Sequence, residues 1–238
     1  MRHTYGLIIP ALNEADTIGI VLGRVPRDLF SQVIVVNNGS KDSTAAVAAA
    51  AGAEVVNDPR RGYGQACLSG IRKLQPSVTA IAFMDADLSD RPEDLARLVC
   101  CFEEDRWDMV LGSRVLGSCE PGALMPMQRF GNWLATRLIA LAWQVHFTDL
   151  GPLRILRRDS LGRINLHDRT FGWNVEMQAR AAQLRFNVCE LPVGYRRRLH
   201  GHSKISGTIF GSLRAGAKIL WTIFRCWLMP LHFPSPGP

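Results

Sequence analysis

The chain has 238 residues, of which 47% are hydrophobic and 21% charged, and its formal net charge is +7. This composition excludes collagen-like, coiled-coil and intrinsically disordered proteins, and a chain of this length can bury a core without disulfide or metal crosslinks. The last acidic residue is Glu190, so the basic excess lies in the C-terminal part, where it predicts contact with phosphates, nucleic acid or an anionic membrane surface.

Short apolar runs alternate with helical patterns through the first half of the chain. The runs predict strands over residues 5–9, 33–36, 54–57, 79–84 and 109–112, and the helical patterns cover 15–25, 43–51, 64–74 and 92–104. This alternation indicates an α/β fold whose parallel sheet is covered by helices on both faces. In such folds ligands bind beyond the carboxyl ends of the strands, and the polar clusters of this sequence fall at those ends.

The pattern changes in the second half. It predicts a long, mostly apolar helix over 129–147, a second helix over 171–184 and a strand over 188–195.

Two acidic residues, Asp85 and Asp87, follow the apolar strand that ends at Met84. Where a strand runs out, residues two apart point the same way, and two adjacent carboxylates repel unless a cation lies between them. Hard oxygen ligands suit Mg²⁺ or Mn²⁺ that is also bound to phosphate oxygens. The alternative is a solvated turn that caps the next helix.

Two polar segments, 10–14 and 37–40, end the first and second strands. They fit a slot that hydrogen-bonds a flat base, although ordinary turn chemistry explains each segment alone. A third, glycine-rich segment over 60–66 precedes a helix. It is neither a Walker loop nor a complete dinucleotide-binding fingerprint, and it is either a turn or a place where backbone approaches a ligand.

Seven motifs occur in the order seen in family 2 glycosyltransferases, and the chain most resembles the dolichyl- or polyprenyl-phosphate sugar transferases of that family. The matching segments are 10–14, 38–44, 62–66, 84–88, 112–114, 149–154 and 201–204. The resemblance implies a GT-A fold, which is a Rossmann-like, mostly parallel sheet flanked by helices. It also implies a nucleotide-diphosphate-sugar donor, UDP- or GDP-linked, a divalent metal and inversion at the anomeric carbon.

The resemblance also implies site residues. Asp85 and Asp87 would hold Mg²⁺ or Mn²⁺ on the diphosphate, and Ser89 stands where the family often has Gln or Asn. Asn38 stands where the family usually has an aspartate that reads the base, which leaves UDP and GDP both open. The implied donor-binding residues are Pro10, Asn13, Glu14, Asn38, Gly64, Asp85, Ala86, Asp87 and Arg114. Those implied to bind donor or acceptor phosphates are Arg154, Arg198, Ser203 and Lys204.

The acceptor decides whether the reaction needs a general base. A lipid phosphate is already an anion and needs none, whereas a hydroxyl must lose its proton to a carboxylate. Glu176 is the first candidate base and Asp149 the second. The alternative for Glu176 is a carboxylate on a helix surface.

The C-terminal segment over 209–231 is apolar but contains Arg214, Lys218 and Arg225, which share one face of a helix. A charged stripe is unsuited to a membrane span. We expect an interfacial helix with its cations toward anionic headgroups and its Trp and Leu side chains in the acyl boundary. The alternative is a helix that packs on the core of the same domain.

The sequence thus predicts a transferase domain over 1–205 and a basic amphipathic segment over 206–238. The expected activity is hexose transfer to a membrane-associated acceptor, most readily polyprenyl or dolichyl phosphate, by a cytoplasmic protein bound peripherally to the membrane and without a nucleic-acid partner. The alternatives are a soluble or hydroxyl acceptor, a sugar-1-phosphate nucleotidyltransferase and a non-catalytic membrane-binding module.

Overall fold

The structure is a computed structural model that describes residues 3–104, 106–199, 209–229 and 231. Its strands are β1 (Tyr5–Ala11), β2 (Phe30–Asn37), β3 (Glu54–Asn57), β4 (Ala80–Phe83), β5 (Met109–Ser113), β6 (Arg154–Arg157) and β7 (Val188–Pro192). Its α-helices are α1 (Ala15–Arg24), α2 (Thr44–Ala50), α3 (Tyr63–Lys73), α4 (Asp94–Phe102), α5 (Pro126–Trp143), α6 (Arg158–Ile164), α7 (Trp173–Gln183) and α8 (Ile209–Leu228), and a 3₁₀ turn covers Arg27–Leu29.

The seven strands form one sheet in the order β3-β2-β1-β4-β6-β5-β7. Neighbouring strands pair in parallel except at β6, which is antiparallel to both β4 and β5. The prediction of a mostly parallel α/β sheet flanked by helices is therefore confirmed. Because β6 runs in the opposite direction, the chain enters β6 at the edge where β4 and β5 end.

Each face of the sheet carries its own apolar core. In β1, Ile8 points into one core, while Leu7 and Ile9 point into the other, as the two-residue period of a strand requires. Helices α3, α5, α6, α7 and α8 contribute buried residues to the first core, and α1, α2 and α4 contribute to the second. The two helical layers fix the loops at the carboxyl edge of the sheet.

The sequence analysis did not predict β6 or α6. The segment Arg154–Arg157 has arginine at both ends and only two apolar residues between them, so its pattern does not indicate a strand. The bounds of two predicted elements differ in the structure. The helix predicted over 129–147 is α5, which begins at Pro126 and ends at Trp143, and the strand predicted over 188–195 is β7, which ends at Pro192.

The predicted outward placement of the cations on the C-terminal helix is wrong. Two of its cations face the protein, because Lys218 Nζ lies 2.7 Å from Asp168 Oδ2 and Arg225 Nη2 lies 2.7 Å from Glu176 Oε1. Ile223 is buried in the first core, and α8 packs against α5 and α7. Lys218 and Arg225 are thus engaged by acids of the α7 region rather than directed outward to headgroups.

Within the described ranges, no helix is both long enough and apolar enough to cross a membrane. The division into residues 1–205 and 206–238 stays a prediction.

Candidate active site at the carboxyl edge of the sheet

The carboxyl ends of β1 and β2 bring two of the predicted polar segments together. Ala11 and Asn37 are paired at the end of the ladder, and the loops beyond them are joined by hydrogen bonds. The Asn13 N–H donates to Ser40 Oγ at 2.9 Å, and the Lys41 N–H donates to Asn13 Oδ1 at 2.8 Å. The side chain of Asn13 stays exposed, and Pro10 and Glu14 are half-buried beside it. These residues form one polar region at the carboxyl edge of the sheet.

Asn38 is buried and connects this polar region to the glycine-rich segment. Its amide nitrogen donates to the carbonyls of Asp58 and Arg60, at 3.2 and 2.8 Å, and its Oδ1 accepts the Gly62 N–H at 2.7 Å. The side-chain amide is therefore already engaged within the protein. A carboxylate could accept from Gly62 but could not donate to two carbonyls.

We expect Asn38→Asp to destabilise the protein although aspartate is the usual family residue. A buried carboxylate would face two carbonyl oxygens, which costs roughly 2 kcal/mol or more of the free energy of unfolding. The melting temperature should fall by about 4–8 °C in thermal denaturation followed by circular dichroism.

The matched control is Asn57→Asp. Asn57 is exposed, and its side-chain oxygen only accepts a hydrogen bond, from Asn37 Nδ2 at 2.8 Å. An unchanged melting temperature for Asn38→Asp would show that this loop adapts to a carboxylate.

Gly64 is the second residue of α3, and it packs against the backbone of the 168–170 loop. A Cβ at Gly64 would lie 2.1 Å from the Asp168 carbonyl oxygen. The N–H groups of Gly64 and Gln65 donate to the carbonyls of Thr170 and Arg169. These helix N–H groups are thus satisfied by protein, and a donor-binding role for Gly64 stays a prediction.

The acidic pair follows β4 directly, as the sequence predicts. Ala86 and Asp87 are buried, Asp85 is half-buried, and Asp87 Oδ1 accepts the Ser89 N–H at 2.9 Å. Leu88 between them has φ of 62°, a left-handed conformation that is uncommon for a branched side chain and marks a constrained turn.

Burial and the neighbouring Asp87 disfavour the charged form of the Asp85 carboxylate. Its Oδ1 is buried and makes no hydrogen bond. Burial, followed by the negative charge of Asp87, raises the pKa of Asp85 to about 7. This is the environment in which a bound cation would be stabilised, because it would relieve both effects.

Arg198 reaches the acidic pair from the segment that follows β7. The Arg196 N–H donates to the Ser89 carbonyl, and an antiparallel bridge joins Asp90 to Tyr195. The guanidinium of Arg198 then lies 2.7 Å from Asp87 Oδ2 and 4.0 Å from Glu14 Oε1. The sequence-predicted phosphate ligand Arg198 is therefore at the acidic pair itself.

Arg114 and Asp149 form a buried ion pair at the same edge. Asp149 accepts from Nε, Nη2 and the backbone N–H of Arg114 at 2.7–2.8 Å. Although burial alone raises the pKa of Asp149, the Arg114 cation outweighs it, so the pKa lies below its usual range. Arg114 also stacks 4.9 Å from the centre of the Tyr195 ring. These contacts fix Arg114 beside the acidic residues.

Two residues of this edge were missed as candidates. Tyr195 carries the stacked Arg114, and no motif marked it. Asp90 is buried, and neither of its carboxylate oxygens has a hydrogen-bond partner. Burial and then the charge of Asp85 raise the pKa of Asp90 well above its usual value. Asp90 lies three residues after Asp87, and no motif of the sequence marks it as a site residue.

Two other predicted residues are enclosed by the protein. Arg154 is fully buried at the start of β6, and it donates to the Gly151 carbonyl and to Gln178 Oε1. Burial lowers its pKa to about 10. Glu176 is also fully buried, and its oxygens accept from the Asp168 N–H and from Arg225. The predicted contacts of these residues with substrate stay predictions, and both side chains are committed to protein partners.

Ser203 and Lys204 lie outside the described residues. Within the part of the chain that is described, no group of three or more His, Cys, Asp or Glu side chains has metal-binding geometry. The buried, unpartnered oxygen of Asp85 fits a divalent ion that also binds phosphate oxygens.

Comparison with known proteins identifies the family of the chain that carries this site. The family model described as glycosyl transferase family 2 matches residues 7–164, which include the acidic pair, Arg114 and Asp149. The chain belongs to glycosyl transferase family 2. An undecaprenyl-phosphate mannosyltransferase of Micrococcus luteus is 32% identical over 224 residues, covering 86% of this chain and 88% of that protein.

Two further proteins are similar to this chain over 88% and 93% of its length. A glycosyltransferase of Mycobacterium tuberculosis is 35% identical over 211 residues, or 88% of this chain and 93% of the relative. The structure of glucosyl-3-phosphoglycerate synthase from Mycobacterium tuberculosis, in complex with Mn²⁺, UDP and glucosyl-3-phosphoglycerate, superposes with a TM-score of 0.71 at 20% identity. The superposition covers 93% of this chain and 80% of the synthase chain. This similarity confirms the GT-A fold.

Proposed function

We propose that this family 2 glycosyltransferase moves a hexose from a nucleotide diphosphate sugar to polyprenyl or dolichyl phosphate, with Mg²⁺ or Mn²⁺ at Asp85 and Asp87. The observation that carries the proposal is the convergence of the acidic pair with two cations, Arg198 and the buried Arg114, at one edge of the sheet. The name of the Micrococcus luteus relative supports a polyprenyl-phosphate acceptor.

The charges at this edge suit the departure of a diphosphate. A divalent ion bound there would neutralise negative charge as it develops on the leaving group. Arg114 is held rigidly by Asp149, so its cation needs no reorganisation during the reaction. Arg198 is half-buried beside Asp87, where it would meet a phosphate that approaches the pair.

The engagement of both candidate bases favours a phosphate acceptor over a hydroxyl. Asp149 is committed to Arg114, and Glu176 is committed to Arg225 and two backbone N–H groups. A phosphate monoester is already anionic and needs no proton acceptor. With such an acceptor, Asp149 acts by positioning Arg114, and Glu176 acts by holding α8.

The test is a matched panel of donors, metals and acceptors. UDP- and GDP-linked hexoses are each incubated with Mn²⁺, Mg²⁺ or EDTA, together with undecaprenyl phosphate, undecaprenol or 3-phosphoglycerate. We expect metal-dependent product only with undecaprenyl phosphate as the acceptor. We also expect it with only one of the two donor types, the UDP-linked or the GDP-linked hexose. Undecaprenol is the matched control because it lacks only the phosphate.

Other outcomes would identify the alternatives. Product on 3-phosphoglycerate or undecaprenol would replace the lipid-phosphate acceptor with a soluble or hydroxyl one. Release of pyrophosphate from a nucleoside triphosphate and a sugar phosphate would indicate a nucleotidyltransferase. Vesicle binding with no turnover of any donor would indicate a non-catalytic module.

A further inference from the structure

The outer faces of α5 and α8 are apolar and aromatic. On α5, Trp133 is 53% exposed and Leu141 is 80% exposed. On α8, residues spaced three and four apart form one exposed stripe: Leu220, Trp221, Phe224, Trp227 and Leu228. The rings of Trp221, Phe224 and Trp227 contact one another in sequence, with centroids 5.9 and 6.2 Å apart. Most surface apolar residues are scattered singly, whereas a continuous stripe marks an interaction site.

The buried side of α8 explains why the aromatic side faces outward. Lys218 and Arg225 pair with the buried acids Asp168 and Glu176, and both salt bridges measure 2.7 Å. Ile223 and Cys226 on the same helix are buried in the first core. These contacts fix the rotation of the helix, so the exposed stripe is held in place by ion pairs on the opposite side.

The charges of the two helices favour an anionic bilayer as the partner. Neither the 18 residues of α5 nor the 20 residues of α8 include an Asp or Glu. Arg137 is exposed on α5 between Trp133 and Leu141, four residues from each. An anionic headgroup could accept from Arg137 while the adjacent rings enter the interfacial region, where Trp is enriched.

The same charges argue against self-association through this face. In a symmetric dimer the same patch meets itself. Arg137 would then approach a second copy of α5, in which no acidic residue is present to pair with it. A bilayer that contains anionic lipid presents no such conflict.

We propose that the exposed faces of α5 and α8 form one surface that docks the enzyme on an anionic bilayer. We call it the docking surface, defined by Phe130, Trp133, Arg137, Leu141, Leu220, Trp221, Phe224, Trp227 and Leu228. The inference rests on the proposed function and deepens it, because it names the surface through which a lipid-borne acceptor reaches the catalytic edge.

The inner side of α5 connects the docking surface to that edge. Asn132 Nδ2 donates to the Thr148 carbonyl at 3.2 Å, and Asn132 Oδ1 accepts the Leu150 N–H at 2.8 Å. These bonds flank Asp149, which holds Arg114. Trp133 is the next residue after Asn132, and a helix with its side chains is about 10 Å across. Docking would thus bring headgroups within about one helix diameter of the Asp149 segment.

The test is cosedimentation of the full chain with vesicles of phosphatidylglycerol and phosphatidylcholine, against vesicles of phosphatidylcholine alone. The variant combines Trp133→Ser, Trp221→Ser and Trp227→Ser. We expect its partition into the mixed vesicles to fall by about tenfold or more, because three interfacial rings are lost. Arg137→Gln should reduce the preference for phosphatidylglycerol.

The matched control is Ile20→Ser. Ile20 is a partly exposed apolar residue on α1, which packs on the opposite face of the sheet. Its partition should equal that of the unsubstituted chain. Melting temperatures within about 2 °C of the unsubstituted protein would establish that all variants are folded.

A second assay separates this proposal from the proposed function. Transfer to a short, water-soluble prenyl phosphate in the absence of vesicles should be retained by the triple variant, whose changes lie outside the catalytic edge. Vesicle binding without transfer by the unsubstituted protein would overturn the function and leave the docking surface intact. Equal vesicle partition by the triple variant and the unsubstituted protein would overturn the docking surface. A second result would also overturn the docking surface. In it, the unsubstituted protein does not bind vesicles but forms a dimer in analytical ultracentrifugation, and the triple variant is monomeric.

Discussion

Asp87→Asn is expected to reduce kcat/KM for sugar transfer by roughly 10²–10³-fold or more, a typical loss when one stabilising group is removed at a developing charge. The substitution preserves shape and the hydrogen bond from the Ser89 N–H but removes the negative charge that a divalent ion would bind. It also leaves Arg198, now 2.7 Å from Asp87 Oδ2, without that partner. Transfer to undecaprenyl phosphate is the measurement.

A binding measurement should show the same loss without turnover. Calorimetric titration of UDP or GDP with Mn²⁺ should give little or no heat for Asp87→Asn and a clear isotherm for the unsubstituted protein. The matched control is Asp16→Asn, an exposed acid in the first turn of α1, which should behave as the unsubstituted protein. Activity of Asp87→Asn within about threefold of normal, a difference of under 1 kcal/mol, would exclude the acidic pair as the metal site.

Asp149→Asn is expected to cost about 3–5 kcal/mol of stability, because it leaves the buried Arg114 without its main counter-charge. Asp149 is 2% exposed and accepts three hydrogen bonds from Arg114. The pKa of Asp149 lies below its usual range, so this contribution is complete above about pH 4 and decreases only at lower pH. The difference in the free energy of unfolding between Asp149→Asn and the unsubstituted protein, measured by urea denaturation, should therefore become smaller at acidic pH.

Two readouts separate the positioning role of Asp149 from that of a general base. If Asp149 were the base, the acidic limb of the pH–rate profile would disappear in Asp149→Asn. We expect that limb to be retained. In a double-mutant cycle with Arg114→Gln, the losses should be strongly non-additive, because both changes break one interaction. Glu104→Gln, which breaks the exposed pair with Arg106, should change stability by less than about 0.5 kcal/mol.

The sequence predicted the parallel part of the sheet because its strands are continuous apolar runs with polar residues at their carboxyl ends. The position of Asp85 and Asp87 follows from that pattern alone, and so does the meeting of segments 10–14 and 37–40. Strand β6 escaped prediction because its four residues show neither alternation nor a sustained apolar run. Its place between β4 and β5 depends on pairing with both.

The contacts that decide the site are long-range and could not be predicted from spacing. Helical periodicity gave the two faces of α8 but not which face turns inward, because that depends on Asp168 and Glu176, more than 40 residues away. Likewise, Asp149 became a candidate base from its motif, whereas its partner Arg114 lies 35 residues earlier. The contacts of Asn38 with the 58–62 loop could not be predicted from its motif either, and its role in donor binding stays a prediction.

The contact of Arg198 with Asp87 gives the proposed metal site a counter-ion of its own. A guanidinium that neutralises Asp87 competes for the same oxygen with any incoming divalent ion. In the proposed function, binding of the ion and the contact of Arg198 with Asp87 would therefore be thermodynamically linked, and each would weaken the other by the same factor. The proposed function therefore predicts that free metal binds weakly and that a diphosphate, which supplies further oxygens, makes the metal bind more tightly.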